Sequence, residues 1–242
     1  MFPSTRQRSS SLELMDDLSI QGPELERTLY EIEFINRTLG GYGPTFEGVR
    51  RLLPAGQKEL SILDVGTGSG DIPRRLVDWG RGRGLRVHVT GIDLTETAVD
   101  MAQRTSSAYE TVDFKVQDLF DLPDVPTFDI VHAAATLHHF VGQEAQRALS
   151  KMYRVARLGV VINDFHRHFL AWAGIRTLTA LFSQSRLVRY DAPLSVLRSF
   201  HRQEIFDMCR SEGLPAPEIA WRPMFRWRIV VQRGKEASSS DL

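Results

Sequence analysis

The chain has 242 residues, 30 basic against 30 acidic side chains, hence no formal net charge, and one cysteine. That length fits one large domain, or a domain with a small cap, and 42 % hydrophobic residues supply a sizeable core. Zero net charge argues against a broad electrostatic grip on nucleic acid, while Cys209 alone can form neither an intrachain disulfide nor a cysteine zinc site, which suits a reducing cytoplasm.

Residues 1–11 are rich in Ser and Arg and hold no apolar segment, so they read as a disordered tail rather than a secretory signal. From 23 to 39, Leu25, Leu29, Ile32, Ile35 and Leu39 recur at helical spacing, and Gly40-Gly41 ends the helix. A second helix is expected over 45–53, stopped by Pro54. Residues 12–55 therefore read as N-terminal cap helices. From 56 to 233 strands and helices alternate. Strands are expected at 61–65, 86–92, 112–116, 128–132 and 158–162, with helices at 72–79, 96–105 and 144–155. Such alternation with buried apolar strands predicts an α/β fold, a doubly wound and mostly parallel sheet with helices on both faces. The pattern then changes. Residues 168–182 form an apolar helical segment that no strand follows, inside a lid insertion at about 166–198. Arg176 interrupts it, and it is too short to span a membrane, so no integral membrane segment is expected. Another helix is expected over 199–213. Two late strands, 217–222 and 225–232, read as an antiparallel pair. Residues 234–242 read as a second disordered tail. Charge is uneven: 11–40 hold seven acidic and two basic residues, whereas 166–233 hold eleven Arg and five acidic residues. Two solvated faces that partly pair explain this; a mildly basic pocket mouth is the sharper reading.

The central motif is Leu63-Asp64-Val65-Gly66-Thr67-Gly68-Ser69-Gly70-Asp71, a strand running into three glycines with a helix behind them. Glycine lets the backbone turn tightly and approach a ligand closely, and the helix start offers amides. Its spacing is G-x-G-x-G, not the G-x-G-x-x-G of the NAD fingerprint. Asp64 lies two residues before the first glycine, where a carboxylate repels a pyrophosphate but suits an ammonium group. Asp93 in Gly91-Ile92-Asp93-Leu94 ends the second strand and can accept from ribose hydroxyls. Asp118 in Val116-Gln117-Asp118-Leu119 follows the third strand and can accept from an adenine amino group.

In that order, ILDVGTGSGD, GIDLTETAV and QDL resemble the three cofactor motifs of class I S-adenosylmethionine (SAM) dependent methyltransferases, over roughly residues 60–165. The resemblance implies SAM as cofactor. Asp64 with Gly66, Thr67, Gly68 and Gly70 would serve its methionine part, Asp93 and Leu94 the ribose, and Asp118 and Leu119 the adenine. It also implies a seven-stranded, Rossmann-like sheet with an antiparallel last strand and a helical cap. More loosely, FINRTLGGY, VINDFHRH, LSVLRSFHRQEI and PMFRWRIVV resemble bacterial small-molecule methyltransferases of the ubiquinone/menaquinone-type branch. Arg37, in the first cap helix, would then reach the SAM carboxylate.

The fourth strand continues as Ala133-Ala134-Ala135-Thr136-Leu137-His138-His139-Phe140. Small residues such as Ala134 allow a ligand close approach, and the histidines after them face the cleft. His138 is the first candidate general base, with His139 and His166 behind it. Asn163-Asp164 sits where a metal-dependent catechol subgroup places Asn and Asp, but that subgroup also needs an acid where this chain has Ala133 and Ala134. No metal is therefore expected, and His166 with His168 is a weak ligand pair. Phe169, Leu170, Trp172, Ile175 and Leu178 would cover an aromatic or lipophilic acceptor. The expectation is methylation of a small molecule, on a phenolic or enolic oxygen in secondary metabolism. Alternatives are C-methylation of a quinone- or polyketide-like ring, a protein or RNA methyltransferase, and a SAM-binding protein without catalysis.

Overall fold

Residues 3–234 are described by a computed structural model. In chain order the elements are α1 (Pro23–Thr38), α2 (Gly43–Leu52), β1 (Glu59–Val65), α3 (Asp71–Arg81), β2 (Arg86–Asp93), α4 (Glu96–Thr105), β3 (Val112–Val116), β4 (Phe128–Ala134), α5 (Glu144–Val155), β5 (Ala156–Phe165), α6 (Phe169–Phe182), α7 (Arg186–Arg198), α8 (Arg202–Ser211), β6 (Glu218–Arg222) and β7 (Arg226–Gln232). The strands form one sheet in the order β3-β2-β1-β4-β5-β7-β6. β1 to β5 pair in parallel, and β7 runs antiparallel between β5 and β6. This is the doubly wound, mostly parallel sheet that the alternation predicts and the seven-stranded, Rossmann-like form that the resemblance implies, with the late pair as its antiparallel end.

Burial follows the two-residue period of a strand. In β5, Val160 and Ile162 pack with α5 and α8 through Leu149, Met152, Ile205 and Met208, while Val161 faces the α2–α3 layer. Strand order reverses between β1 and β4, so the loops at their carboxyl ends part and leave a crevice.

Three expectations need correction. First, α2 does not cap the site. Its Gly48 lies so close to β5 that an added Cβ would sit 2.4 Å from Val161 Cγ1, so α2 is a sheet-covering helix, and α1 alone of the first two does the covering. Second, residues 3–11 are not a loose tail. Arg167, fully buried, donates to Thr5 O (3.0 Å), Ser9 N donates to Leu197 O (3.0 Å), and Arg8 donates to His138 O (2.7 Å). Buried guanidinium groups need acceptors, and the main chain of this segment supplies them. Third, the lid holds a second helix, α7, with Pro193 inside it and Ser185 Oγ accepting from Val188 N. Residues 1, 2 and 235–242, parts of the two expected tails, lie outside the described residues. Among the described residues no helix is long and apolar enough to cross a membrane.

Candidate functional site

A cavity of about 920 Å³ opens at the carboxyl ends of the strands. Its floor is the loop after β1 and the tips of β2, β3 and β4. Its roof comes from the N-terminal segment (Leu12, Glu13, Met15), α1 (Leu25, Leu29), α6 (Leu170, Ile175) and α7 (Val188, Ala192).

The glycine loop is held from below. Gly66, Gly68 and Gly70 have φ of 69°, 53° and 73°, a backbone region that favours glycine. Their reasons differ. Gly66 and Gly68 line the cavity. Gly70 does not; a Cβ there would meet Phe114 Cζ at 2.7 Å and Ala102 Cβ at 3.0 Å, so Gly70 lets α3 start close against its neighbours. Asp64 is another correction. It is 2 % exposed, does not line the cavity, and accepts from Thr67 Oγ1 (2.8 Å) and from His132 Nδ1 (2.6 Å). His132 meets Thr45 Oγ1 (2.9 Å), which in turn accepts from Asn163 Nδ2 (3.0 Å). Asp64 therefore anchors the loop through a buried polar chain instead of touching a ligand.

Asp93 lines the cavity and ties two loops together. Oδ2 accepts from Gly68 N (3.0 Å), and Oδ1 accepts from Thr95 N and Thr95 Oγ1. An ionised carboxylate has about four acceptor positions, so one on Oδ2 remains for a hydroxyl. Asp118 also lines the cavity, with Oδ1 accepting from Phe120 N (2.8 Å), beside buried Leu119 and half-exposed Leu94. Ala134 and the left-handed Ala135 (φ 49°) present no bulk at the β4 tip. This floor suits SAM: bare glycine backbone where the chain of the amino acid would pass, and carboxylates at the two strand ends where ribose and adenine would lie. Arg37 takes no part. It is exposed, its guanidinium lies over the Phe34 ring, and it does not line the cavity. The guanidinium at the wall is that of Arg226, 3 % exposed, which donates to Asn36 Oδ1 (2.9 Å) and Asn163 Oδ1 (3.3 Å); burial pulls its pKa down to about 10.

The 3-10 turn Leu137–His139 brings the histidines to the opposite wall. His138 is fully buried, with Nδ1 against Asp164 Oδ1 (2.7 Å) and its main-chain N donating to Asp164 Oδ2 (3.1 Å). Burial works against the Asp164 charge, but His138 and the main-chain donors outweigh it and hold the carboxyl below its usual range. His139 places Nδ1 on Asp16 Oδ1 (2.7 Å). Glu13 lies next to both imidazoles, and burial pushes its carboxyl up to about 7. Arg198, 1 % exposed, donates to the carbonyls of His138 and His139 and to Asp16. Asp191 accepts from Leu14 N (2.7 Å) and Met15 N (3.0 Å), which fixes the segment carrying Glu13.

His166 is not at the site. It does not line the cavity; its ring lies 4.5 Å from that of Trp227 and 5.5 Å from that of His168, and burial with nearby His168, His201 and Arg167 lowers its pKa to about 4. Phe165, the last residue of β5, lines the cavity, and the alternation of the strand turns the side chain after it, that of His166, to the opposite face. Glu13, Asp16, Asp191 and Arg198 were missed from sequence. The signal available was the charge imbalance: Glu24 pairs with Arg186 (2.8 Å) and Asp16 with Arg198, joining the acidic start to the Arg-rich lid.

Residues 62–159 match the profile of a family described as a methyltransferase domain. Solved structures share the fold. The plantazolicin methyltransferase BpumL in complex with SAH matches with a TM-score of 0.62 at 15 % identity, over 88 % of this chain and 96 % of that one. A SAM-dependent methyltransferase from Aquifex aeolicus matches with a TM-score of 0.60 at 17 % identity, over 86 % and 97 %. The CMeT domain of the citrinin polyketide synthase matches with a TM-score of 0.57 at 16 % identity; the matched part is 76 % of this chain and about half, 48 %, of that one. None of the curated proteins matches. The family match spans the glycine loop, both acidic strand ends and the histidine turn, so the part of the chain that builds the cavity floor matches a methyltransferase domain, on a sheet whose fold the solved SAM-dependent methyltransferases share.

Proposed function

We propose that the chain methylates a phenolic or enolic hydroxyl on an aromatic or lipophilic small molecule, in cytoplasmic natural-product biosynthesis. The observation that carries this reading is the combination of an apolar roof with one histidine–carboxylate cluster facing the cofactor floor across the cavity. At about 920 Å³ the space is near the upper end of small-molecule sites, roughly 300–1,000 Å³, which leaves room for an acceptor beside the cofactor.

Bound SAM supplies a methyl group already activated by its sulfonium. The chain has to align the acceptor oxygen with it and deal with the acceptor's proton. Leu12, Met15, Leu170 and Ile175 exclude water from the apolar body of the acceptor. Asp164 fixes the proton of His138 on Nδ1, which leaves the Nε2 lone pair turned to the wall beside Glu13. His139, about one third exposed at the same wall, gives that cluster its access to the cavity.

The test is methyl transfer from labelled SAM to a panel of lipophilic phenols and enols. His138→Gln should lower turnover by ~10²–10⁴ while leaving SAM affinity within about threefold, because the floor does not involve this ring. Near-normal turnover in that variant refutes the role given to the histidine cluster. The second reading is C-methylation of a quinone- or polyketide-like ring, on the same cluster; the fold shared with the citrinin CMeT domain favours keeping it. NMR of the product separates an O-methyl from a C-methyl group.

A further inference from the structure

Two polar atoms in the wall of the cavity are buried and have no hydrogen-bond partner: Glu13 Oε1 and His138 Nε2. They face each other at 3.6 Å, too far for a hydrogen bond. On the same carboxylate, Oε2 lies 3.8 Å from His139 Nε2. One ligand atom from each of the three residues lies within 4.8 Å of the others. Both imidazoles are oriented from behind, His138 by Asp164 on Nδ1 and His139 by Asp16 on Nδ1, each at 2.7 Å. A carboxylate on Nδ1 places the proton there and leaves the Nε2 lone pair as a ligand; metal-binding histidines are held in this way. Buried Asp164 and partly buried Asp16 thus turn two lone pairs toward a third carboxylate, whose Oε1 lies 3.8 Å from Arg198 Nε and accepts no hydrogen bond.

We propose that Glu13, His138 and His139 form a binding site for a borderline divalent cation of the zinc class. Two imidazoles and one carboxylate make up the donor set of zinc sites that keep a position open for a substrate oxygen. A tetrahedral ion with bonds of about 2.0 Å spaces its ligands by roughly 3.3 Å; the 3.6 Å between His138 Nε2 and Glu13 Oε1 closes by a few tenths of an ångström, and the other ligand pairs, all within 4.8 Å, close by at most about 1.5 Å. Magnesium prefers an octahedral shell of oxygens and does not suit two nitrogens. The expectation of no metal came from weighing Asn163, Asp164, His166 and His168. Asn163 is instead committed to Gly41 O and Thr45 Oγ1, and the third ligand, Glu13, comes from the far end of the chain. The site deepens the reading above and rests on it in one respect: with the cation bound, His138 Nε2 is a ligand rather than the proton acceptor, and the cation would favour the ionised form of the acceptor hydroxyl, whose proton passes to solvent.

The test is binding, measured without an acceptor. Full-length protein is stripped with a chelator, dialysed, and titrated with Co²⁺ as a coloured stand-in for Zn²⁺. The expected result is one equivalent per chain, visible bands of a four- or five-coordinate ion, and displacement by Zn²⁺. Glu13→Gln and His139→Gln should each weaken binding at least ~10–100-fold. X-ray absorption on the zinc-loaded wild type needs no variant, and should show a nitrogen/oxygen shell at about 2.0–2.1 Å with imidazole scattering. No stoichiometric binding, a shell without imidazole, or equal affinity in the folded variants overturns the site. SAM calorimetry on the same stripped sample separates the two readings. SAM binding without metal binding sinks the cation site and leaves the methyltransferase intact; metal binding without SAM binding supports the site and counts against the methyltransferase reading.

Discussion

The hydrogen bond from Gly68 to Asp93 spans 25 residues of chain, whereas the one between His139 and Asp16 spans 123 and that from Arg198 to Asp16 spans 182. The cofactor floor is built from successive β–α units, and its contacts form as the sheet forms. The acceptor wall exists only when the N-terminal segment, the β4 turn and α7 have all come together. Its ties are buried ionic and main-chain contacts that depend on one another. The two halves of one cavity should therefore fail separately when mutated.

The largest effect is expected at Arg198. Arg198→Met keeps the apolar stem but removes the donors to His138 O, His139 O and Asp16. Breaking a buried ionic contact from one side typically costs about 3–5 kcal/mol, which for a chain of this size lowers Tm by roughly 6–20 °C. Methyl transfer should be lost with it. SAM affinity of the folded fraction should change by less than about threefold, since no floor residue touches this guanidinium. A matching loss of SAM binding in folded protein would show that the halves are one unit.

The floor responds to a different change. Asp93→Ala removes the acceptor for Gly68 N and for the ribose hydroxyls, and should weaken SAM binding by about 1–3 kcal/mol in calorimetry. Tm should fall as well, because Gly68 N, Thr95 N and Thr95 Oγ1 lose their acceptor, but the histidine wall has no contact with Asp93 and should keep its geometry. Unchanged SAM affinity, with NADH binding instead, overturns the methyltransferase reading.

This difference in chain separation also explains what could be read from sequence. Strands, glycines and acidic strand ends are local signals. The limits of α4, β3 and α5 emerge as expected because apolar period and flanking turns agree over short stretches. Asp64 was found for the right motif with the wrong contact, since nothing local announces that His132, from another strand, would occupy it. Glu13 had no local mark at all. It falls in the stretch read only as the start of the N-terminal cap, and the return of α7 through Asp191 and Arg198 buries it. His166 was misjudged by one residue of strand register.

His166 offers the smallest effect and tests where the acceptor wall ends. Its pKa is lowered from 6.5 to about 4, by burial first and then by His168, His201 and Arg167. Between those values the unfolded chain takes up a proton that the folded ring refuses. The unfolded state then binds more protons, so stability rises with pH across this window. The penalty is absent above about 6.5, grows as pH falls, and is complete below about 4. The ring is only half-buried, so the full shift is discounted to about 1 kcal/mol, or ~2–4 °C in Tm. His166→Phe keeps an aromatic ring against Trp227 and Phe225 and removes the titrating group along with its unpaired buried Nδ1. Melting curves from pH 7 to pH 4 should therefore fall less steeply in the variant than in the wild type, the carboxylates contributing equally to both. Parallel curves would mean that the ring is protonated as easily in the fold as in water. Turnover at neutral pH should be the same in both proteins, because the ring lies behind the cavity wall; a large loss there would return His166 to the acceptor site.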